Sequence, residues 1–249
     1  MALTYRQNEI LEYLKKSKYA KINELAEKLF VSDATIRREL RELKKLGLLD
    51  RNHGGAVIVD SANEIALHIR YERDPKDKRE TANVALPKLP DFNTVFFDNS
   101  STAYIIAQMM DLKYKTVVTN GISLATDLCK RENVNVIMPG GNLLSNTNSL
   151  TGAFATKCIA DIHFGLVLCS CAAITADGAF ENSIEQAELK RVALANGTNR
   201  ILLVDKNKFK NTASFRTLPL KSYNAIFTNA DDETLEQFAG LRGVHIINK

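Results

Sequence analysis

VSDATIRRELRELKKLGLLDRNHGG, residues 31–55, is a short turn, a basic helix and a polar segment that closes on paired glycines. Ser32 or Asp33 can cap the helix, and the apolar positions Ile36, Leu40, Leu43 and Leu46 step by four, three and three, the spacing of one buried helical face. Gly47 ends it. With Ile36 and Leu40 turned inward, Thr35, Arg37 and Arg38 near the N-terminal end can lie on the opposite face. Beyond Gly47, Leu48-Leu49 and Ala56-Val57-Ile58 flank the polar tip that runs from Asp50 to Gly55, two strand-like pieces about a turn.

Working outward, residues 5–16 place Ile10, Leu11 and Leu14 at helical spacing, and residues 22–29 do the same with Ile22, Leu25, Ala26 and Leu29, with Asn23 as a cap. Three short helices, a tight turn before the third and a wing after it form the helix-turn-helix arrangement, whose last helix enters the DNA major groove. Arginines such as Arg37 and Arg38 can pair bidentately with guanine, Thr35 can meet a thymine methyl or a phosphate, and Ser32 can contact the backbone. Arg51 and His53 at the wing tip can reach phosphate or the minor groove. Each also has a plainer use, the arginines on a solvated helix face and His53 as a turn residue.

Charge divides along the same line. Residues 1–58 hold twelve Lys or Arg against eight Asp or Glu, and the remainder holds twenty-one of each, so the whole net charge of +4 sits in the first segment. That fits a phosphate-binding module joined to a neutral one. Residues 59–90 read as a connector, with the charged run RYERDPKDKRE broken at Pro75 and a helix through Thr81 to Leu86.

From residue 91 onward, short β-type runs alternate with helical ones: TVFFD, TVVTN, VNVIMPGG, FGLVLCS, RILLVD and NAIFTN, with a helix through Gln186 to Ala195. This spells an α/β domain with a mainly parallel sheet, whose sites collect at the carboxyl ends of strands. Those ends carry Asp98, Ser100, Ser101 and Thr102; Thr119 and Asn120; Gly140 and Gly141; and Asp205 and Lys208. Hydroxyls just before a helix favour an anion such as phosphate. Gly140 and Gly141 would let backbone approach a ligand, Lys190 and Lys208 could supply positive charge, and Asp98, Asn120, Asp205 or Glu188 could bind sugar hydroxyls. Helix capping and strand termination are the competing uses of the same residues.

Four cysteines, Cys129, Cys158, Cys169 and Cys171, lack zinc-ligand spacing and read as small apolar residues in a reducing compartment, with no metal and no cofactor expected. No apolar run approaches the ~18 residues that span a bilayer, so the expected location is the cytoplasm, with no membrane partner.

VSDATIRRELRELKKLGLLDRNHGGAV resembles the N-terminal winged helix-turn-helix of DeoR-family transcriptional regulators, with its Thr-Ile-Arg-Arg helix and His-Gly-Gly-Ala wing. The resemblance implies DNA-contacting roles for Ser32, Thr35, Arg37, Arg38, Arg51 and His53. Glu39 stands where the family commonly has Asp, and Asn52 replaces a hydroxyl or β-branched residue. FFDNSST, VVTN, EQAELKR and LLVDKNKF are similar to the family's sensor domain, which implies a fold like ribose-5-phosphate isomerase and CoA transferases and a phosphorylated sugar effector. Here Ser100 replaces a family glycine, and Ala173 another.

The expected architecture is an all-α winged helix-turn-helix over residues 1–58, a linker over 59–90 and a sensing and oligomerisation domain over 91–249. The expected function is a non-enzymatic regulator, a repressor of a carbohydrate-use operon, that binds operator DNA as a homodimer or homotetramer under control of the effector. A sugar-phosphate isomerase or transferase with a fused DNA-binding domain, using Asp98, Asp205 or Glu188 as acid or base, is the alternative from another class. A third is a sensor fold reduced to an oligomerisation scaffold.

Overall fold

The computed structural model describes residues 3–17, 19–45, 48–52, 54–58, 70 and 74–248, and the chain divides into two compact units, Met1–Arg73 and Asp74–Lys249. Leu46, Gly47, His53, Ile65 and Ile69 lie outside the described residues, and of Arg51 only the backbone is described.

The first unit runs α1 (Tyr5–Ser17), β1 (Tyr19–Lys21), α2 (Ile22–Lys28), α3 (Asp33–Lys45), β2 (Leu49–Asn52) and β3 (Gly55–Ile58). Ile10, Leu14, Leu25, Ile36, Leu40 and Leu43 close into one core with Leu49 and Ala56, so the periodic apolar positions of the three helices do face one another. The unit is not all-α: its strands form an antiparallel sheet in the order β1-β3-β2. Residues 19–21, expected to be a plain break between helices, alternate exposed, buried, exposed, and Ala20 turns into the core. Pairing of β1 with β3 explains one of the paired glycines, because a Cβ on Gly55 would lie 2.5 Å from the Ala20 carbonyl oxygen. Asn23 is not the cap of α2; the Lys21 N–H donates to Glu24 Oε2 at 3.0 Å instead.

The second unit is a three-layer α/β/α structure. It runs α4 (Pro75–Ala85), β4 (Thr94–Phe97), α5 (Ser101–Met109), β5 (Thr116–Thr119), α6 (Ile122–Leu128), β6 (Asn135–Ile137), β7 (Asn142–Leu144), β8 (Ser149–Thr151), α7 (Ala153–Ala160), β9 (Phe164–Cys169), β10 (Ala173–Thr175), β11 (Gly178–Glu181), α8 (Ile184–Ala195), β12 (Gly197–Val204), β13 (Phe215–Arg216), β14 (Ala225–Thr228), α9 (Asp232–Leu235) and β15 (Ile246–Ile247). Seven strands, β15-β14-β12-β9-β4-β5-β6, form a parallel sheet. Residues of α4, α5 and α6 pack on one face with Val95, Phe97 and Leu168, and residues of α7 and α8 pack on the other with Phe96, Val167 and Cys169. Both faces are covered, which is why the strands read as unbroken apolar runs rather than as alternating ones.

Residues 75–85 fall within the expected connector, yet they form a helix of the second unit with Lys78, Thr81, Ala82 and Ala85 buried. Pro75 opens it, a position that needs no N–H donor. From β4 the sheet grows one way through β5 and β6 and the other way through β9, β12 and β14. The order therefore reverses between β4 and β9, and an open α/β sheet has its crevice at such a point, beyond the carboxyl ends of the strands.

Candidate functional sites

In the first unit, Ser32 Oγ accepts the Thr35 N–H at 3.3 Å and lies 3.0 Å from Thr35 Oγ1, so the two hydroxyls mark the exposed start of α3. Arg37 and Arg38 follow on the exposed face while Ile36 and Leu40 are fully buried. Glu39, between the two sets, is buried and accepts from Gln7 Nε2 at 2.9 Å and Arg6 Nη1 at 3.3 Å, which locks α3 to α1. The longer acid at this position serves that internal bond. Ser32, Thr35, Arg37 and Arg38 thus lie towards the N-terminal end of α3 outside its core, with Arg38 Nη2 3.8 Å from the Glu39 carboxylate.

In the second unit the strand ends on either side of the reversal hold a buried ionic cluster. Lys190, on α8, places Nζ 2.6 Å from Asp98 Oδ2, 2.5 Å from Glu181 Oε1 and 2.9 Å from the Ser170 carbonyl oxygen. All three ammonium N–H donors are therefore engaged. Burial by itself would lower the Lys190 pKa, but the Asp98 and Glu181 carboxylates prevail and hold it well above the usual lysine value. Asp98 Oδ2 also accepts the Ser170 N–H at 3.0 Å, and Oδ1 accepts the Ser100 N–H at 3.1 Å and hydroxyl at 2.5 Å. Burial pushes the neighbouring Cys169 and Cys171 thiols up, Cys171 to about 12, and the charges of Asp98 and Glu181 add to the effect. Both cysteines are buried apolar side chains of this floor.

Ser100 takes the place of the turn glycine without strain. Its φ of −75° and ψ of 149° are ordinary extended values, and its hydroxyl accepts the Ala103 N–H, so it is the N-cap of α5. Ser101 and Thr102 follow in the first turn, both buried. Ala173 is equally ordinary, a buried β10 residue opposite Phe180. One strand over, Thr119 Oγ1 accepts the Gly121 N–H at 3.1 Å, and Asn120 Nδ2 donates to the Leu150 carbonyl and to Gln186 Oε1. Gln186 in turn donates to Ser149 Oγ at 2.7 Å.

Four polar atoms on four neighbouring strand ends are buried without a hydrogen-bond partner: Asn99 Nδ2, Asn120 Oδ1, Ser170 Oγ and Asp205 Oδ2. Their residues are at most 4% exposed. Such groups are rarely left unsatisfied in a folded protein, and their concentration on one rim makes it the candidate site for a polar ligand or ordered water. Two are acceptors, one is a donor and one is a hydroxyl, the complement of a polyhydroxylated molecule.

Some expected residues lie elsewhere. Glu188 is exposed on the other side of α8 from Lys190, because two helical steps turn a side chain by about 200°; it lines an open groove with Thr156, Lys157 and Arg191. Gly140 and Gly141 lie at the far edge of the sheet beside Phe154 and Lys157. Gly141 is required by the β7-β8 hairpin, since a Cβ there would lie 2.4 Å from the Thr151 carbonyl oxygen. Lys208 donates its backbone N–H to the Asp205 carbonyl at 2.9 Å and is half-buried. Glu181, Ser170 and Gln186 were not among the expected residues, and Asn99 stood in the expected strand-end cluster with no role of its own. Gln186 could have been found from its four-residue step to Lys190 on one helical face, but nothing local distinguishes Glu181 or Ser170.

A sequence model of the DeoR-like helix-turn-helix domain matches residues 6–62, and one of the DeoR C terminal sensor domain matches residues 73–230. The chain is 28% identical to the glycerol-3-phosphate regulon repressor of Escherichia coli K12 over 92% of each protein. It is 33% identical to the HTH-type transcriptional regulator GolR of Listeria innocua over 85% of each. With the L-fucose operon activator of Haemophilus influenzae it shares 30% identity over 91% of this chain and 92% of that protein.

Proposed function

The chain belongs to the DeoR family, and from that premise we propose that it is a DNA-binding transcriptional repressor of a carbohydrate-use operon whose operator affinity is set by a phosphorylated sugar. The DNA-reading group is Ser32, Thr35, Arg37 and Arg38 on α3, with Arg51 and His53 on the wing. The exposed arginines beside a hydrogen-bonded Ser32–Thr35 pair support this, since Arg reads guanine and hydroxyls position the backbone. Paired operator half-sites call for paired recognition helices, hence a symmetric homodimer or homotetramer.

The observation that carries the effector reading is the rim of unpartnered buried polar atoms at the sheet reversal. The phosphate is assigned to the start of α5, at Ser101 and Thr102, where the helix dipole favours an anion; Ser100, whose N–H and hydroxyl both donate to Asp98, caps that helix and shapes the turn. Asn120, Asp205, Ser170 and Asn99 are assigned to the sugar hydroxyls. Lys190 and Asp98 form the floor beneath them, since their charges are already paired. Of the three carboxylates that the isomerase or transferase reading would use, Asp98 is paired with Lys190 and Glu188 lies on the other side of α8, which leaves Asp205 without a second carboxylate partner on the rim. Resemblance to the ribose-5-phosphate isomerase and CoA transferase folds is part of this proposal and is supported by the parallel sheet with its site at the strand ends.

Selection from random DNA with the full-length protein, followed by operator release assays with inorganic phosphate and a panel of sugar phosphates, tests the whole reading. A palindromic consensus and release by one ester are expected. Failure to enrich any DNA sinks the repressor; enrichment without response to any ester sinks the effector.

A further inference from the structure

The residues next to the candidate site in sequence grip the helix that begins the second unit. Asp205, with one carboxylate oxygen free on the rim, is followed at once by Lys206 and Asn207, and both reach Asp77 of α4. Lys206 Nζ lies 2.9 Å from Asp77 Oδ1, and Asn207 Nδ2 donates to Asp77 Oδ2 at 3.0 Å. Asn229, one residue past β14, ties the two together: its Nδ2 donates to Asp77 Oδ1 at 3.1 Å and to Glu80 Oε2 at 3.0 Å, while its Oδ1 accepts the Lys206 N–H at 2.9 Å and the Thr81 hydroxyl at 3.3 Å. Asp205 Oδ1 accepts the Asn207 N–H at 3.2 Å, so the turn that faces the ligand is also closed on itself.

Three features make this network more than a helix support. It fixes α4 by directional polar bonds at Asp77, Glu80 and Thr81, whereas the packing through Ala82 and Ala85 is apolar and non-directional and defines no unique position along the helix axis. It is anchored on the same three-residue turn as Asp205, so a ligand that bonds Asp205 Oδ2 acts one and two residues from the grip. And α4, with Pro75 in its first turn, is the first element of the second unit in chain order.

We propose that Asp77, Lys206, Asn207 and Asn229 are the coupling residues of the sensor: effector bound at Asp205 resets their grip on α4, and α4 passes the change to the DNA-binding unit through the chain that precedes it. The inference rests on the effector reading of the site. The ligand acts by favouring one of two positions of α4, because only a difference in affinity for two states can shift an equilibrium.

The test uses the full-length protein, its selected operator, and the variants D77N and K206M; Lys206 is half-exposed, so the second variant leaves the fold intact. Inorganic phosphate, glycerol 3-phosphate, ribose 5-phosphate, glucose 6-phosphate and fructose 1-phosphate are the probes. The ester that raises the melting temperature of the wild type is expected to change amide hydrogen exchange in residues 75–85 and to change operator affinity at least tenfold. In both variants that ester should bind within threefold of its wild-type affinity, while its effect on operator affinity falls to less than threefold. Variants that respond to the ester like the wild type, or that lose ester binding and response in parallel, would overturn the coupling role. If no probe binds the wild type, the effector reading itself fails and the inference falls with it.

Discussion

Lys190 is the residue on which the sensor floor depends. Two carboxylates and a carbonyl surround it in a buried site, and removal of one partner from such a cluster leaves charges buried and uncompensated. Lys190→Met should therefore cost about 3–5 kcal/mol in urea unfolding of the second unit, whereas an exposed pair such as Lys130–Asp127 should cost under about 1 kcal/mol. The cysteines test the same burial chemically. Cys129 is exposed, and Cys169 and Cys171 are buried thiols whose pKa values are raised by that burial. Iodoacetamide at pH 8 should label Cys129 in the native protein and reach Cys169 and Cys171 only after denaturant is added, as read by peptide mass spectrometry. None of this clustering is visible locally: Asp98, Glu181 and Lys190 come from three separate segments. Lys190 in particular looked like a cation available to a phosphate, which its three internal bonds preclude.

Elements carry the next level of cause. Helix α3 puts Ile36, Leu40 and Leu43 in the core and the two arginines in solvent, so the two faces can be tested separately. Leu40→Ala should destabilise the first unit by about 2–5 kcal/mol through the cavity it leaves, measured by thermal unfolding. Arg37→Ala should leave stability unchanged and cost roughly 1–3 kcal/mol in operator binding if the side chain reads a base; unchanged operator affinity would remove it from the interface. Helix α4 has its own signature in pH. Burial alone would raise the Asp77 pKa, but hydrogen bonds from Lys206, Asn207 and Asn229 hold it below the usual carboxylate value. A carboxyl group whose pKa is depressed by folding stabilises the native state above its unfolded pKa, and that contribution fades as the pH falls towards the folded value. The stability gap between wild type and D77N should accordingly be constant from pH 7 to about 5 and close below about pH 4, where an unfolded Asp titrates. The pattern of elements was largely legible because periods of two and 3.6 are local properties. β1 was missed because three residues are too few to show a period and the strand exists only through its pairing with β3. The inclusion of α4 in the second unit was missed for a related reason, since a run so rich in charge hides the buried face of Lys78, Thr81, Ala82 and Ala85.

At the scale of the molecule, a DNA-reading unit and a ligand site in separate units can influence one another only through a free energy of coupling, and that energy is reciprocal. Saturating operator DNA should therefore change the affinity for the effector by the same factor as the effector changes operator affinity, measured by titration calorimetry with and without the operator. A factor of one in both titrations would mean that the two sites are not coupled. The chain alone determined that there are two modules, one basic and helical, the other neutral and α/β, because composition and periodicity act within a short stretch of chain. It also determined the surface of α3, since a helix with a defined apolar side has its polar side by elimination. The tertiary structure decided which strand-end residues meet. The adjacency of β4 and β9 brings Asp98 beside Ser170, β11 and α8 add Glu181 and Lys190 while α8 turns Glu188 away, and the edge position of the β7-β8 hairpin removes Gly140 and Gly141 from the group. Those juxtapositions depend on contacts between residues from nine to more than seventy positions apart, and the order in which parallel strands assemble is not encoded in the pattern of any one of them.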